Sequence, residues 1–433
     1  MREKQTIFLI GGGGREAAIA RKLSSSPRVG KIYCAPGNDG MGAKTETVDI
    51  AASASDELVA FAEKIQPDFV FVAPDDPLAE GLCDLMRAAG FKSYGPSKAA
   101  ARIEASKSFA KELMKKKGIP TASYELFTDP EAALHYIETA PHPLVVKADG
   151  LALGKGVLIC RSREESRQAV RSLMIEGRFA EAGKTILIEE FLEGEEMSLL
   201  CFCDGMHYLP MLPARDYKRA LDHDQGLNTG GMGSICPSHR FSAEEKRYLR
   251  ERIIEPTLEG MRELGCPFSG VLYFGLMLTA DGPKIIEYNA RFGDPETQAV
   301  LPLLKTDLLE VMEATEEGRL DELELEWEDM ACACVILASG GYPKAYEKGK
   351  EIKGLAPYIC ETPEDALLPE GEACEFVYPA GVVKKDGKYY TDGGRVLGLT
   401  ARDSTLEQAL ERCYRMTENV VFEKMHFRRD IGS

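Results

Sequence analysis

At 433 residues, 44% hydrophobic and 28% charged, the chain has the length of about three domains and the composition of an ordinary globular protein. Fifty-three Lys plus Arg against 70 Asp plus Glu leave a formal charge of −17, which repels nucleic-acid phosphates and anionic membranes over most of the surface. No apolar run approaches the ~18 residues of a membrane span, and the N-terminus enters a strand without a signal-peptide pattern. The chain therefore reads as cytoplasmic, with small molecules rather than nucleic acid or membrane as partners, and as a monomer or at most a weak homodimer. Its twelve cysteines include no CxxC pair; Cys201/Cys203 and Cys332/Cys334 read as buried thiols, with zinc at Cys201, Cys203 and His207 the minor alternative.

Residues 6–10 form an apolar run, Gly11 to Gly14 a turn, and Arg15 to Ser24 a helix with Ala17, Ile19, Ala20 and Leu23 on one face. Lys31 to Cys34, a helix over Glu57 to Ile65 and a strand over Phe69 to Val72 follow. This alternation predicts a doubly wound parallel sheet in an N-terminal unit at residues 1–104. Ser106 to Lys117 reads as a helix opening a second unit, 105–325, with strands at Pro143 to Lys147 and Thr185 to Glu189 and a helix at Glu164 to Met174. Gly270 to Thr279 and Lys284 to Asn289 predict a hairpin turning at Ala280-Asp281-Gly282. A C-terminal unit, 326–433, follows an acidic stretch and has a further hairpin predicted over Gly387 to Thr400, with Gly393-Gly394 near its turn. The expected class is α/β, with α+β character in the core.

Gly12-Gly13-Gly14 with Ala17 fits G-x-G-x-x-A between a strand and a helix, so its N–H groups and Arg15 suit a phosphate; the alternative is glycines that only permit tight packing. A nicotinamide dinucleotide also needs an acidic residue after the second strand, where this chain has Cys34-Ala35-Pro36-Gly37, so a dehydrogenase is disfavoured. The segment Lys147 to Val157 has P-loop composition but not its spacing. It leaves Lys147 at a strand end and Lys155 between glycines, in a loop suited to covering polyphosphate; a surface hairpin with solvated lysines is the alternative. In Ile285 to Arg291, alternation projects Glu287, Asn289 and Arg291 from one face, two oxygen donors and a guanidinium, as a magnesium–polyphosphate requires.

Seven blocks in order resemble one family: Gly13-Gly14-Arg15-Glu16, Ala35 to Asn38, Lys147 to Val157, Glu189 to Leu192, Asn228 to Gly233, Arg291 to Gln298 and Gly393 to Leu397. The chain is similar in these to the phosphoribosylamine–glycine ligases, or glycinamide ribonucleotide synthetases, of the ATP-grasp superfamily. The resemblance implies an ATP-grasp core with a small mobile lid at about residues 122–192, between an N-terminal Rossmann-like domain and a C-terminal mixed domain. By position it implies that Lys107 and Lys147 bind the nucleotide phosphates and that Gly154-Lys155-Gly156 is the lid loop, with Lys155 also catalytic. Glu189 and Glu196 then match the adenine-side and ribose-side carboxylates, Glu190 is a further nucleotide contact, Leu192 supplies a backbone contact to adenine, and Glu287 and Asn289 ligate Mg2+ or Mn2+. Arg291 and Asp294 are the implied catalytic residues, and Gly13, Gly14, Arg15, Asn38, Asp75, Asp216, Lys218, Asn228, Thr229 and Gly230 the implied substrate contacts. The implied reaction converts glycine to glycyl phosphate with ATP, and the amine of phosphoribosylamine then forms the amide.

Departures from the family pattern gather on the acceptor side: Ala17 for His, Ala73 and Asp75 in a Gly-Pro-Glu motif, Arg215 and Tyr217 in Gln-Asp-His-Lys-Arg, and Leu227 for Pro. They leave two other readings, a paralogue joining a different amine or carboxylate and a nucleotide-binding regulator without turnover. Retention of Glu287, Asn289, Arg291 and Asp294 argues against the regulator, because binding alone does not need the phosphoryl-transfer set.

Overall fold

The computed structural model describes residues 4–42, 44–151, 156–177, 180–360, 362, 365, 367 and 369–433. The N-terminal part is a parallel sheet in the order Thr45–Thr47, Val29–Pro36, Gln5–Gly11, Phe69–Val72, Ser93–Tyr94. Its central strand is buried on both faces: Ile7 and Leu9 enter one apolar cluster, Phe8 and Ile10 another. That explains an unbroken apolar run rather than an alternating one.

Helix Lys107–Lys117 begins at Ser106, whose hydroxyl accepts from the Phe109 N–H, and ends at Gly118, whose left-handed φ of +63° a side chain would disfavour. Beyond it, residues 124–190 build a separate antiparallel sheet ordered Tyr124–Phe127, Ile186–Glu190, Leu144–Ala148, Val157–Cys160. Helices Pro130–Thr139 and Arg163–Val170 close a small core of its own over that sheet, around Ile137, Val146, Val170 and Ile188. A second antiparallel sheet, Tyr208–Pro210, Glu195–Asp204, Ser269–Thr279, Gly282–Asn289, forms the opposite wall of the intervening cleft. Here the predicted hairpin at Ala280-Asp281-Gly282 is present.

The C-terminal sheet runs Arg215–Asp216, Gly233–Cys236, Ala331–Ala338, Arg395–Asp403, Cys374–Pro379. Two of its strands come from residues 215–236, so its hydrogen bonds cross the boundary expected near residue 326. The hairpin expected over Gly387 to Thr400 is not formed. Lys388–Thr391 pairs with Val382–Lys385 and Glu351–Ile352, whereas Arg395–Asp403 lies in the five-stranded sheet. Gly393 instead marks a crossing: a Cβ on Gly381 would lie 2.5 Å from Gly393 Cα, so only glycines let these two backbones pass.

Candidate active site

Between the two antiparallel sheets lies a cleft of about 880 Å3. On its nucleotide-facing side as read from sequence, Lys107 opens its helix and donates to the Gly150 carbonyl at 2.9 Å. Lys147, on Leu144–Ala148, lies 2.9 Å from Glu189 Oε2 and donates to the Ile286 carbonyl at 3.1 Å. Glu189 also receives Lys111 at 3.3 Å, and its Oε1 has no partner among the described residues. All three side chains are almost wholly buried, and burial pulls the Lys111 ammonium down to about 8 despite Glu189. Lys111 was not singled out from sequence, although its place four residues after Lys107 on one helical face was readable. Glu190 accepts from the Ser123 N–H at 3.0 Å; Glu190, Leu192, Glu196 and Gly156 line the cleft. Gly154 and Lys155 lie outside the described residues.

The strand Gly282–Asn289 brings Glu287 and Asn289 to the cleft, as its period of two requires. Burial disfavours the Glu287 carboxylate, but Lys218, Lys147 and Lys107 outweigh it and hold the group below its ordinary range. Asn289 Oδ1 is 3.4 Å from Arg291 Nη2. Among the described residues no three acidic, His or Cys side chains converge as a metal cage. A carboxylate and a carboxamide oxygen nevertheless fit a hard divalent cation that takes its remaining ligands from phosphate and water.

Arg291 Nη2 pairs with Glu104 Oε1 at 3.0 Å, while Glu104 Oε2 accepts from the Ala290 N–H at 2.7 Å. The guanidinium Nε is buried without a partner among the described residues, a donor left for an anion. Asp294 Oδ2 meets Arg395 Nη2 at 2.8 Å; Arg395, with Arg15, overcomes the effect of burial and keeps Asp294 below the usual carboxylate range. Arg395 also bonds the carbonyls of Asp294 and Gly230, and Tyr342 Oη accepts from the Gly230 N–H at 3.0 Å. The C-terminal region thus fixes the Asn228-Thr229-Gly230 turn against Asp294. Glu104, Arg395 and Tyr342 were missed because each acts across a long sequence separation; only Arg395 lay in a block already recognised.

On the acceptor side of the sequence reading, Asp75, Asp216, Lys218, Asn228, Thr229 and Gly230 all line the cleft. Lys218 lies 3.0 Å from Glu196 and 3.5 Å from Glu287. Burial and the neighbouring Glu296 push the Asp216 carboxyl well above its normal range. Arg15 also lines the cleft, pairing with Glu16 at 2.7 Å and the Phe292 carbonyl at 3.2 Å. Gly13, Gly14 and Asn38 are not cleft-lining. The Gly13 N–H is taken by Glu16 Oε2 at 2.7 Å, a Cβ on Gly14 would lie 2.7 Å from Gln298 Nε2, and Asn38 bonds the Gly12 and Pro379 carbonyls.

Among the divergent positions, Ala17 and Ala73 are buried and Leu227 is exposed. The Tyr217 ring takes cation–π contacts from the guanidinium groups of Arg215 and Arg428, 5.0 and 5.2 Å from its centre. Away from the cleft, His207 Nδ1 is 3.0 Å from Asp204 Oδ2, while Cys201 and Cys203 are buried in the core.

A parallel-sheet unit, two antiparallel sheets facing across a lysine-lined cleft, and a glutamate–asparagine pair with a following arginine define an ATP-grasp protein. The chain matches the phosphoribosylglycinamide synthetase N domain over residues 5–104, the ATP-grasp (A) domain over 105–297 and the C domain over 332–433. It is 46% identical to a phosphoribosylamine–glycine ligase of Caldanaerobacter subterraneus, covering 99% of each chain. The crystal structure of phosphoribosylamine–glycine ligase from Thermotoga maritima superposes with a TM-score of 0.83 at 34% identity, covering 98% of this chain and 99% of that one. The biotin carboxylase domain of Hydrogenobacter thermophilus 2-oxoglutarate carboxylase shares the fold, with a TM-score of 0.73 at 15% identity over 99% of this chain and 92% of that one. The chain belongs to the phosphoribosylglycinamide synthetase family.

Proposed function

We propose that the protein joins glycine to 5-phosphoribosylamine, consuming ATP and releasing ADP and phosphate. The observation that carries this reading is one cleft that unites Lys107, Lys147, Glu287, Asn289 and Arg291 with the segment from Asp216 to Gly230. The cleft lining interleaves cations, among them Arg15, Lys107, Lys147, Lys218, Arg291 and Arg395, with carboxylates such as Glu189, Glu287 and Asp294, which places partners for phosphate groups beside oxygen ligands for a divalent cation.

Lys107 and Lys147 hold the nucleotide phosphates, and Glu189, Glu190, Glu196 and Leu192 line the adenosine end. Glu287 and Asn289 hold Mg2+ or Mn2+, which supplies neutralisation of phosphate charge when bound. A glycine carboxylate oxygen attacks the γ-phosphorus as the bond to the β-phosphate oxygen breaks, giving glycyl phosphate and ADP. Arg291 receives the transferring phosphoryl group on its free Nε. The phosphoribosylamine nitrogen then attacks the acyl carbon; phosphate leaves with the C–O electron pair and the nitrogen loses a proton. Lys155, between its glycines, would cover the acyl phosphate and keep water from it.

The test is ADP release by the purified protein with Mg-ATP, glycine and freshly generated phosphoribosylamine, omitting each in turn and weighing the product. Release that needs both partners, with glycinamide ribonucleotide mass, supports the assignment. No release with that pair, alongside intact Mg-ATP binding, would reject it and direct a screen of other amines and carboxylates.

A further inference from the structure

A second cavity, of about 240 Å3, lies where the helix Gly14–Ser24 meets the turn Leu301–Leu303 and the C-terminal sheet, and it shares no lining residue with the cleft. Sites for drug-sized ligands run to roughly 300–1,000 Å3, so this one suits a small ion better than a nucleotide. Four cations line it: Arg21 and Lys22 from the last turn of the helix, Lys305, and Arg402 from the strand Arg395–Asp403. Two of the four are compensated. Lys305 pairs with Glu370, while Arg402 lies 3.4 Å from Glu328 and donates to the carbonyls of Pro302, Pro369 and Glu372.

Arg21 and Lys22 have no such partner. Among the described residues no carboxylate comes within ion-pairing distance of either. Lys22 Nζ donates to the Leu304 carbonyl, which leaves two of its three N–H groups spare. Arg21 Nη1 and Nη2 donate to Cys360 Sγ at 3.0 Å and the Asp365 carbonyl at 2.8 Å, and its Nε is buried with no partner among the described residues. Burial pulls the Lys22 ammonium down to about 8, which neither Asp307 nor Glu328 offsets. Neighbouring cations in a poorly solvated cavity repel one another until an anion enters. A phosphate group carries about −1.5 to −2 charge at pH 7 and offers several acceptor oxygens, which matches two cations with spare donors.

We infer that Arg21 and Lys22 form a second anion site, outside the cleft, for a phosphate-sized dianion: free phosphate or a small phosphate monoester. The assignment is independent of the ligase reading. Two elements run from this site to the cleft. The helix Gly14–Ser24 carries Arg15 at its cleft end and Arg21 and Lys22 at the other, and the strand Arg395–Asp403 carries Arg395 and Arg402 in the same way. An anion in the second cavity therefore holds the far ends of elements whose near ends bring arginines to the cleft.

The experiment is calorimetric titration of the full-length protein, saturated with a non-hydrolysable Mg-ATP analogue, with inorganic phosphate and with ribose 5-phosphate, sodium chloride holding the ionic strength constant. The wild type should bind at least one of the two saturably, and tighter binding of one identifies the free ion or the monoester as the occupant. Arg21→Gln and Lys22→Met should each lower that affinity ten-fold or more, Lys22→Arg should restore most of it, and Arg15→Gln, at the cleft end of the same helix, should leave it within two-fold. Thermal melts without phosphate should stay within a few degrees of wild type, and two variants on separate side chains keep the test open should one fail to fold. Binding of neither anion by the wild type, or unchanged affinity in either folded variant, would overturn the site. A loss confined to Arg15→Gln would place the anion in the cleft and overturn it as well.

Discussion

Glu104 grips two consecutive residues just past the strand Gly282–Asn289: Oε1 is 3.0 Å from Arg291 Nη2 and Oε2 is 2.7 Å from the Ala290 N–H. Burial raises the Glu104 carboxyl even with Arg291 alongside, so the pair is stable only as a pair. Glu104→Gln should keep only one of the two accepted hydrogen bonds, because its amide nitrogen cannot accept, and should lose the charge, lowering kcat about ten-fold or more with the KM for ATP little changed. Glu104→Ala should also cost about 3–5 kcal/mol of stability, because it strands a buried guanidinium. Steady-state kinetics and urea unfolding read the two effects, and wild-type kcat in both variants would remove Glu104 from the positioning of Arg291.

Glu287→Ala should cut turnover by about 100-fold or more, on the scale of a lost electrostatic stabiliser, while the thermal melt stays within a few degrees. Asn289→Ala should mainly raise the Mg2+ concentration needed for half-maximal rate. A metal titration of both variants checks this, and an unchanged Mg2+ requirement in each would place the cation elsewhere.

Lys111 gives a pH-dependent signature. Its folded pKa of about 8 lies below the model-compound value of 10.5, so the unfolded chain binds the proton more tightly between these values. The penalty for the buried ammonium is therefore fully present below pH ~8 and is relieved as pH rises through it. Relative to Lys111→Met, the wild type should gain about 2 kcal/mol between pH 7.5 and 9.5. Urea unfolding at both values measures the difference, and a difference that stays flat or falls would contradict the assignment.

Gly231 has a φ of +110°, and an added Cβ would sit 2.3 Å from Pro295 Cδ and 2.6 Å from Asp216 Oδ1. Gly231→Ala should destabilise the protein by about 1–3 kcal/mol from backbone strain and overpacking. It should raise the KM for the amino acid more than that for ATP. A wild-type melt together with wild-type KM values would show that the loop adapts.

The sequence made legible what a single strand or turn encodes. Glu287, Asn289 and Arg291 follow from a period of two, Lys147 from its place at the end of an apolar strand, and the parallel sheet from strand–helix alternation. It did not reveal partners fixed by tertiary contact. Arg395 reaches Asp294 across 101 residues and Glu104 reaches Ala290 across 186, distances at which no local period carries a signal. The Gly393-Gly394 pair misled for a related reason: a glycine pair suits a turn and a close backbone crossing equally well, and only the neighbouring Gly381 distinguishes them. The Gly12 to Gly14 turn carried the same ambiguity, with Glu16 filling its Gly13 donor.

The hairpin made by Arg219–Leu221 and Gln225–Asn228 is fastened by residues far down the chain. Arg428 bonds Asp224 at 2.8 Å and the Arg219 carbonyl at 3.3 Å, the Arg429 N–H reaches Asp222, and His426 Nε2 meets the Ala220 carbonyl. Ribosomal synthesis delivers these parts in a fixed order. By residue 300 a growing chain already holds Lys107, Lys147, Glu287, Asn289 and Arg291, but neither Arg395 nor the residues that fasten the hairpin. The half of the cleft assigned to ATP is therefore encoded well before the half assigned to the second amine can be locked. A fragment cut before His426 would keep the former and lose the fastening of the latter.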